Sequence, residues 1–173
     1  RLKIDLSGRA ILEGDTDSVT LRDGKWEGAP YADDGAARPS AYLVPEFLVA
    51  WNADGEGPPE SAVLLGENSG GSGEYMYLCV VGRIDGRVEN RGTVLLGDRV
   101  QVVSADTSGR GLRLTLLQAG PEGALCCPDE VVKREWEFRD GGLRQVGPGR
   151  PSRPLSPDIM AGTTWTLTHW DDD

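Results

Sequence analysis

Length, composition and charge exclude several classes of protein. The chain has 173 residues, enough for one domain with a hydrophobic core, and its 24 glycines and 11 prolines favour short strands and tight turns over long helices. Its net charge of −10 repels the phosphates of nucleic acids and of anionic lipids, and no apolar run reaches the ~20 residues of a membrane helix. We therefore expect no nucleic-acid partner and no membrane span.

Short antiparallel strands are predicted at the start of the chain. LKIDL and SVTL alternate apolar and polar residues, which is typical of strands with one buried face. Asp23-Gly24 is typical of a two-residue hairpin turn. SAYLVPEFLVAWN is apolar and prone to form a strand, but Pro45 cannot donate a ladder hydrogen bond and so marks a strand end, an edge or a bulge.

Two near-continuous apolar runs follow and form the predicted centre of a sheet. SAVLLG and YMYLCVVGRI have the length of strands and lack a polar face, which suits burial on both faces. Further strands are predicted in TVLLG, RVQVVS, LRLTLLQA, VVKREWEF and LRQV, at intervals of about 8 to 12 residues with Gly or Asp turns between them. This spacing predicts an antiparallel all-β fold, a sandwich or barrel-like domain with little helix.

The strand VVKREWEF has two different predicted faces. Val132, Arg134, Trp136 and Phe138 share one face, because side chains alternate across a strand. The other face is mostly charged. The first face is therefore expected to point into the core, with Arg134 as its exception.

We divide the chain into three parts. Residues 1–146 are predicted to form a β-rich domain, residues 147–158 a stiff Pro-rich linker, and residues 159–173 a C-terminal strand segment. The last part contains MAGTTWTLTHW, in which threonines alternate with larger side chains. We expect this strand to pair with the preceding sheet, to pair with another chain or to begin a second domain.

The three cysteines leave several disulfide patterns open. Cys79 is isolated, whereas Cys126 and Cys127 are neighbours in sequence. An odd number leaves at least one thiol unpaired within a monomer. A bridge from Cys79 to either neighbour, a strained vicinal disulfide and ordinary buried thiols all remain open. A zinc site is poorly supported, because the chain has no CxxC motif and a single histidine.

The stretch NADGEGPPESAVLL has the spacing of a calcium loop. Asn52, Asp54, Glu56 and Glu60 occupy positions 1, 3, 5 and 9, and Gly57 occupies position 6, where such loops turn sharply. Position 12 holds valine instead of the bidentate glutamate, and two prolines stiffen the turn. The competing interpretation is a polar turn. Ca2+ is the one cofactor that the sequence predicts, with these four residues as its ligands.

No set of residues indicates catalysis. GENSGGSG has the outer glycine spacing of a phosphate loop but lacks its lysine, and Ser72 has no strand–turn–helix context that would make it a nucleophile. Arg99 in LLGDRVQV is a candidate ligand-binding residue, against the alternative that its charge holds a turn. We therefore predict no catalytic residues.

Several blocks together resemble a known family. DGEGPPESAVLLGENSGGSGEYMYLCVV, LGDRVQV and AGPEGALCCP are similar to the DGDG, GGSG, LGDRVQV and CCP motifs of a family of bacterial secreted or envelope proteins, over about residues 19–146. Members commonly precede a META domain, a small β-rich envelope domain, and MAGTTWTLTHW resembles its first strand. The resemblance implies an exported protein, periplasmic, cell-surface or extracellular, and implies no reaction.

The expected function is a non-catalytic β-rich structural or interaction module of the bacterial envelope or extracellular space. Its partners are expected to be proteins or further copies of the chain. RLKIDL and TTWTLTHW, the strands near the two ends, are the predicted joints of an extracellular assembly. The alternatives are a calcium-dependent ligand-binding protein and a hydrolase that uses Asp and Glu carboxylates.

Overall fold

The described structure is built from antiparallel strands. The computed structural model describes residues 2–5, 18–121, 123–124 and 126–154, which form twelve strands and no helix. Within this part of the chain, no helix is present that is long and apolar enough to cross a membrane. The strands are β1 Leu2–Asp5, β2 Ser18–Leu21, β3 Lys25–Glu27, β4 Ser40–Trp51, β5 Glu60–Asn68, β6 Tyr75–Ile84, β7 Arg87–Asp98, β8 Gln101–Ser108, β9 Gly111–Gln118, β10 Glu130–Arg139, β11 Gly142–Gln145 and β12 Arg150–Pro154.

The strands form two sheets and a ribbon. Sheet 1 has the order β3-β4-β5-β6-β7, sheet 2 has the order β11-β10-β9-β8 with β12 also paired to β10, and the ribbon is β1-β2. Neighbouring strands pair in the antiparallel sense throughout. The predicted antiparallel all-β fold, a sandwich or barrel-like domain, is therefore confirmed.

Sheet 1 is buried on both faces. One face packs against sheet 2 around Trp51, Leu78 and Trp136, and the other packs against the ribbon around Ile4 and Tyr77. Central strands of a covered sheet need apolar side chains on both sides. β5 and β6 are such strands, and the burial on both faces that is predicted for SAVLLG and YMYLCVVGRI is confirmed except at Arg83 and Ile84, which are exposed.

The hairpin turn between β2 and β3 is also as predicted. Asp23 and Gly24 have φ angles of 51° and 80°, the left-handed values that a two-residue hairpin loop of this type requires. Arg22 and Lys25 exchange two backbone hydrogen bonds of 2.8 and 3.0 Å across it. This turn returns the chain from the ribbon onto the edge of sheet 1.

β4 bulges around Pro45. The pairing of β4 with β5 shifts register between Leu43 and Leu48, so the residues between them leave the ladder. Proline is tolerated at a bulge because it has no N–H to donate. Val44 and Phe47, on either side of the bulge, pack against the core between the sheets. The bulge is one of the outcomes that the sequence predicts for Pro45.

The inward face of β10 is as predicted, and it includes Arg134. Val132, Trp136 and Phe138 are buried. The half-buried Arg134 guanidinium donates a 2.8 Å hydrogen bond to the Leu96 carbonyl of sheet 1, and burial lowers the pKa of Arg134. Its charge therefore links the two sheets.

The predicted linker, residues 147–158, contains a strand. β12 pairs with β10, opposite Glu130 to Lys133, so residues 150–154 belong to sheet 2. Two of the five residues in β12 are prolines, which suits an outer strand with a ladder partner on one side. Residues 155–158 of the linker and the segment 159–173 lie outside the described residues, and the division of the chain stays a prediction.

The sandwich has two seams, at which outer strands of sheets 1 and 2 face each other. At the closed seam, β7 approaches β11: a Cβ atom added to Gly92 would lie 3.3 Å from the Leu143 nitrogen and 3.3 Å from the Phe138 ring. At the open seam the outer strands are β8 and the part of β4 beyond Leu43. Within the described residues, neither has a strand partner on its outer side.

Candidate functional site

A cleft lies between the sheets at the open seam. Its volume is about 480 Å³, within the range of small-molecule and side-chain pockets. The cleft has an apolar floor and a polar rim. The floor consists of Val44, Phe47, Leu64, Met76, Val100 and Val102, and the rim consists of the polar residues Glu46, Glu74, Arg99, Gln101 and Cys126 together with Pro128.

The LGDRVQV block forms one wall of the cleft and holds the GGSG loop beside it. Asp98 accepts a 2.9 Å hydrogen bond from the Glu74 backbone N–H. The Arg99 N–H donates to the Glu74 carbonyl at 2.6 Å, and its guanidinium donates to the Ser72 carbonyl. Arg99 has a φ of 51°, a conformation that non-glycine residues seldom adopt without such support. The charges of this block therefore fix the loops at the cleft.

Glu74 is anchored through its side chain as well. The Tyr42 hydroxyl donates a hydrogen bond to the Glu74 carboxylate. Burial and the neighbouring carboxylate raise the pKa of Tyr42 to about 12, so the hydroxyl keeps its proton and remains a donor at neutral pH. Sequence reasoning missed both residues. The signal available was a single glutamate directly after GGSG.

The CCP block completes the cleft from sheet 2. It lies in the loop between β9 and β10, which Asp129 closes by accepting a 2.7 Å hydrogen bond from the Gly120 N–H. Cys126 and Pro128 reach the rim. LGDRVQV and CCP, about 25 residues apart along the chain, therefore line one cleft, and Arg99 holds GGSG beside it.

The structure separates the three cysteines into two environments, and all three are free thiols. Cys79 is fully buried under the ribbon, where burial raises its pKa to about 12. The Thr93 hydroxyl lies 3.7 Å from its sulfur atom. Cys126 and Cys127 are exposed, and a hydrogen bond between their thiols raises the pKa of Cys127.

The predicted calcium loop is organised around an arginine. Arg91 Nη1 donates to Asp54 Oδ2 at 2.8 Å and also pairs with Glu60, whose side chain is 3% exposed. The other Glu60 oxygen accepts a 3.0 Å hydrogen bond from the Ala53 N–H. The Arg91 guanidinium lies 5.1 Å from the centre of the Phe138 ring. The structure thus brings Asp54 and Glu60 together on a cation that belongs to the chain.

The other two predicted ligands lie outside this pair. The side chains of Asn52 and Glu56 are exposed, and the Glu56 N–H donates to Asp54 Oδ1 at 2.9 Å. This hydrogen bond, followed by Arg91, lowers the pKa of Asp54. Among the residues that the structure describes, no group of three or more His, Cys, Asp or Glu side chains is placed to hold a metal. Calcium binding stays a prediction.

Sequence reasoning missed Arg91, which has the central position in this cluster. The available signal was weak: one arginine just before a glycine, at the start of the apolar run GTVLL. Its carboxylate partners are more than 30 residues away. No local pattern predicts such a pair.

Comparison with known proteins gives no information on function. No family model, no curated protein and no solved structure matches this chain. Two regions are therefore left to carry a functional proposal: the cleft at the open seam and the Arg91 cluster.

Proposed function

We propose that the protein is a non-catalytic, exported β-rich interaction module that binds an extended protein segment at its open seam. The occupant that fits is the C-terminal strand segment of a second copy, so the module joins copies into an extracellular assembly. The cleft between two outer strands without partners is the observation that carries this proposal. The following features support it.

Each of the two outer strands exposes a large apolar side chain next to a residue that lines the cleft: Leu48 follows Phe47, and Val103 follows Val102. Leu48 on β4 is 69% exposed and Val103 on β8 is 62% exposed, the highest values among the large apolar side chains of the described residues. An outer strand also offers a row of backbone N–H and C=O groups for pairing. An added strand would cover the exposed apolar side chains and pair with these backbone groups, as in other cases of β-strand addition.

The chemistry of the C-terminal segment matches the cleft. MAGTTWTLTHW, residues 160–170, has large side chains at alternate positions, which an added strand would direct toward one side. It carries no carboxylate itself, although Asp171, Asp172 and Asp173 follow it directly, so the acidic rim residues Glu46 and Glu74 repel only the end of the segment. The described residues end at Pro154, which pairs with Glu130. Glu130 follows the last residue of the CCP block, Pro128, by two positions.

The polar groups around the cleft have structural tasks. Asp98 and Arg99 hold the GGSG loop, and Glu74 receives the Tyr42 hydroxyl. Side chains held in this way suit a preformed binding surface, because little ordering is needed when an occupant arrives. This supports a module that binds over one that uses these groups for acid–base chemistry.

Export is proposed on the resemblance of the GGSG, LGDRVQV and CCP blocks to those of secreted and envelope proteins. Two of these blocks, LGDRVQV and CCP, line the cleft, and Arg99 holds the GGSG loop beside it. A binding surface built from them would be the feature that such proteins share. Its occupant in the envelope or outside the cell would be protein.

The other predicted joint is occupied within the chain. β1, which contains most of RLKIDL, pairs with β2, and Ile4 is fully buried against sheet 1. Using it as a joint between copies would require the ribbon to open. TTWTLTHW lies outside the described residues. We therefore assign the joint to the C-terminal segment and the open seam.

Binding can be tested with a fluorescent peptide of sequence MAGTTWTLTHW and with light scattering. We expect the peptide to bind the full chain and the native mass to exceed the monomer's 18.6 kDa. Leu48→Lys and Val103→Lys should each weaken peptide binding and self-association by about tenfold or more. A desolvated lysine and a lost apolar contact each cost about 1.4 kcal/mol or more.

The matched controls are Ile84→Lys and Val88→Lys. Both residues are exposed apolar side chains, at 42% and 44%, on the β6–β7 hairpin away from the cleft. They should leave peptide binding and mass unchanged. A monomer that does not bind the peptide would overturn the proposal, and so would an assembly that all four lysine variants weaken equally.

A further inference from the structure

Two exposed thiols stand side by side at the mouth of the cleft. Cys126 lines the rim, and Cys127 follows it in the same loop. Both side chains are exposed, whereas Cys79 is fully buried in the core cluster under the ribbon. The structure therefore leaves the two neighbours as the cysteines that an external reagent can reach among those described.

The two thiols face each other. Neighbouring side chains in an extended strand point to opposite sides, but these residues lie in a tight loop, where the Cys127 N–H donates a 2.9 Å hydrogen bond to the Ala124 carbonyl. The loop places the two side chains next to each other, and the hydrogen bond with Cys126 raises the pKa of Cys127. The thiolate is the form that attacks a disulfide, so the first attack becomes faster as the pH rises.

We propose that Cys126 and Cys127 form a redox site that cycles between a dithiol and a vicinal disulfide. No step of this proposal depends on an occupant of the cleft, so it stands or falls independently of the proposed function. The co-substrate is a disulfide compound, either a small-molecule disulfide such as oxidised glutathione or the disulfide of a thiol oxidoreductase.

The reaction is a pair of thiol–disulfide exchanges. The thiolate of one cysteine attacks a sulfur of the co-substrate disulfide, forms a mixed disulfide and releases one thiolate, which takes up the proton that the attacking thiol lost. The second cysteine then loses its proton, attacks the first cysteine's sulfur and releases the other co-substrate thiol. The protein loses two hydrogens and two electrons, and the co-substrate disulfide becomes two thiols.

Vicinal geometry makes the product easy to reduce. Adjacent Cα atoms are about 3.8 Å apart, which is shorter than the about 4.4 to 6.8 Å of ordinary disulfides. Strained and exposed disulfides have more oxidising potentials and are the labile ones. Both conditions hold at residues 126 and 127, so the site suits reversible use better than permanent cross-linking.

Thiol labelling over a series of glutathione redox buffers tests the site. Protein equilibrated in each buffer is denatured, alkylated and digested. Mass spectrometry then measures the mass of the peptide that contains residues 126 and 127. In oxidising buffers we expect this peptide to be unlabelled and lighter by two hydrogens, with Cys79 as the one labelled residue. In reducing buffers all three cysteines of the chain should be labelled.

Three variants separate the possible pairings. Cys79→Ser should leave the vicinal disulfide unchanged, whereas Cys126→Ser and Cys127→Ser should abolish it and leave a mixed glutathione disulfide. The reduced protein should also bind phenylarsine oxide, a trivalent arsenical that needs two close thiols, and each of the last two variants should lose that binding.

Three results would overturn the proposal. They are a bridge from Cys79 to either neighbour, a disulfide-linked dimer as the main oxidised species, and full labelling of both neighbours in every buffer. Failure of arsenical binding by the reduced protein would also count against it, because two thiols in contact must be able to close a ring on arsenic.

Discussion

The two seams of the sandwich differ although the same two sheets form them. At the closed seam, the backbones of β7 and β11 approach closely at Gly92, and Arg91 lies over Phe138 while pairing with the buried Glu60. At the open seam, β4 bulges around Pro45, and a cleft of about 480 Å³ separates it from β8. One side of the molecule is sealed by contacts within the chain, and the other presents its outer strands to solvent.

This difference teaches that an apolar sandwich is not closed by its core alone. Both seams have apolar side chains facing inward, yet the closed seam also has a glycine that admits a neighbouring backbone and a charge that both carboxylates share. The open seam has a proline in the corresponding outer strand, which cannot donate to a ladder. The substitutions below test how far the seams differ.

The largest expected effect is on the free energy of unfolding, when one phenylalanine at each seam is replaced by alanine. Phe138→Ala should lower the free energy of unfolding by about 4 kcal/mol, because it leaves a cavity in packed surroundings. Phe47→Ala should cost about 1 to 2 kcal/mol, because that side chain is already partly exposed. Chemical denaturation of both variants measures the two values. Equal losses would show that the seams are equally well packed.

The next effect concerns the charge at the closed seam. Arg91→Met should destabilise the protein by about 3 kcal/mol, because it leaves the buried Glu60 carboxylate without its cation. Adding Glu60→Gln should recover part of this loss, since glutamine is neutral and still accepts the Ala53 N–H. A double variant less stable than Arg91→Met alone would contradict this account.

Calcium affinity tests the role of Arg91 at the closed seam in a second way. Arg91 holds two of the four predicted ligands, Asp54 and Glu60, so a calcium ion must compete with it. We expect Arg91→Met to bind calcium more tightly than the natural chain in titration calorimetry, by about tenfold or more if two carboxylates are released. Equal affinities would show that the loop binds calcium without using these carboxylates.

The smallest expected effect is a pH dependence at Asp54. Its pKa is lowered in the folded state, so its contribution to stability is present above the unfolded value of about 3.9 and is lost as the pH falls through the folded value. Asp54→Asn should remove this acid-side loss. The change should be below about 1 kcal/mol, since the carboxylate is partly exposed. Unfolding curves between neutral and acidic pH measure it.

Much of the fold follows from local patterns. Strand positions, the hairpin at Asp23-Gly24 and the bulge at Pro45 depend on residues that are neighbours in sequence, so periodicity and turn chemistry predict them. The candidate site depended on distant pairs. Two of the four predicted calcium ligands share a partner, Arg91, which no spacing rule indicates.

The sequence by itself determined that the described chain forms antiparallel strands and which of them are buried on both faces. These properties depend on the pattern of apolar and polar side chains along each strand. Only the tertiary structure decided which seam closes. It also decided that LGDRVQV and CCP line one cleft with GGSG held beside it, and that Arg91 pairs with two carboxylates of the acidic loop. Such contacts join residues tens of positions apart, and their energies depend on how the sheets pack and not on any local pattern.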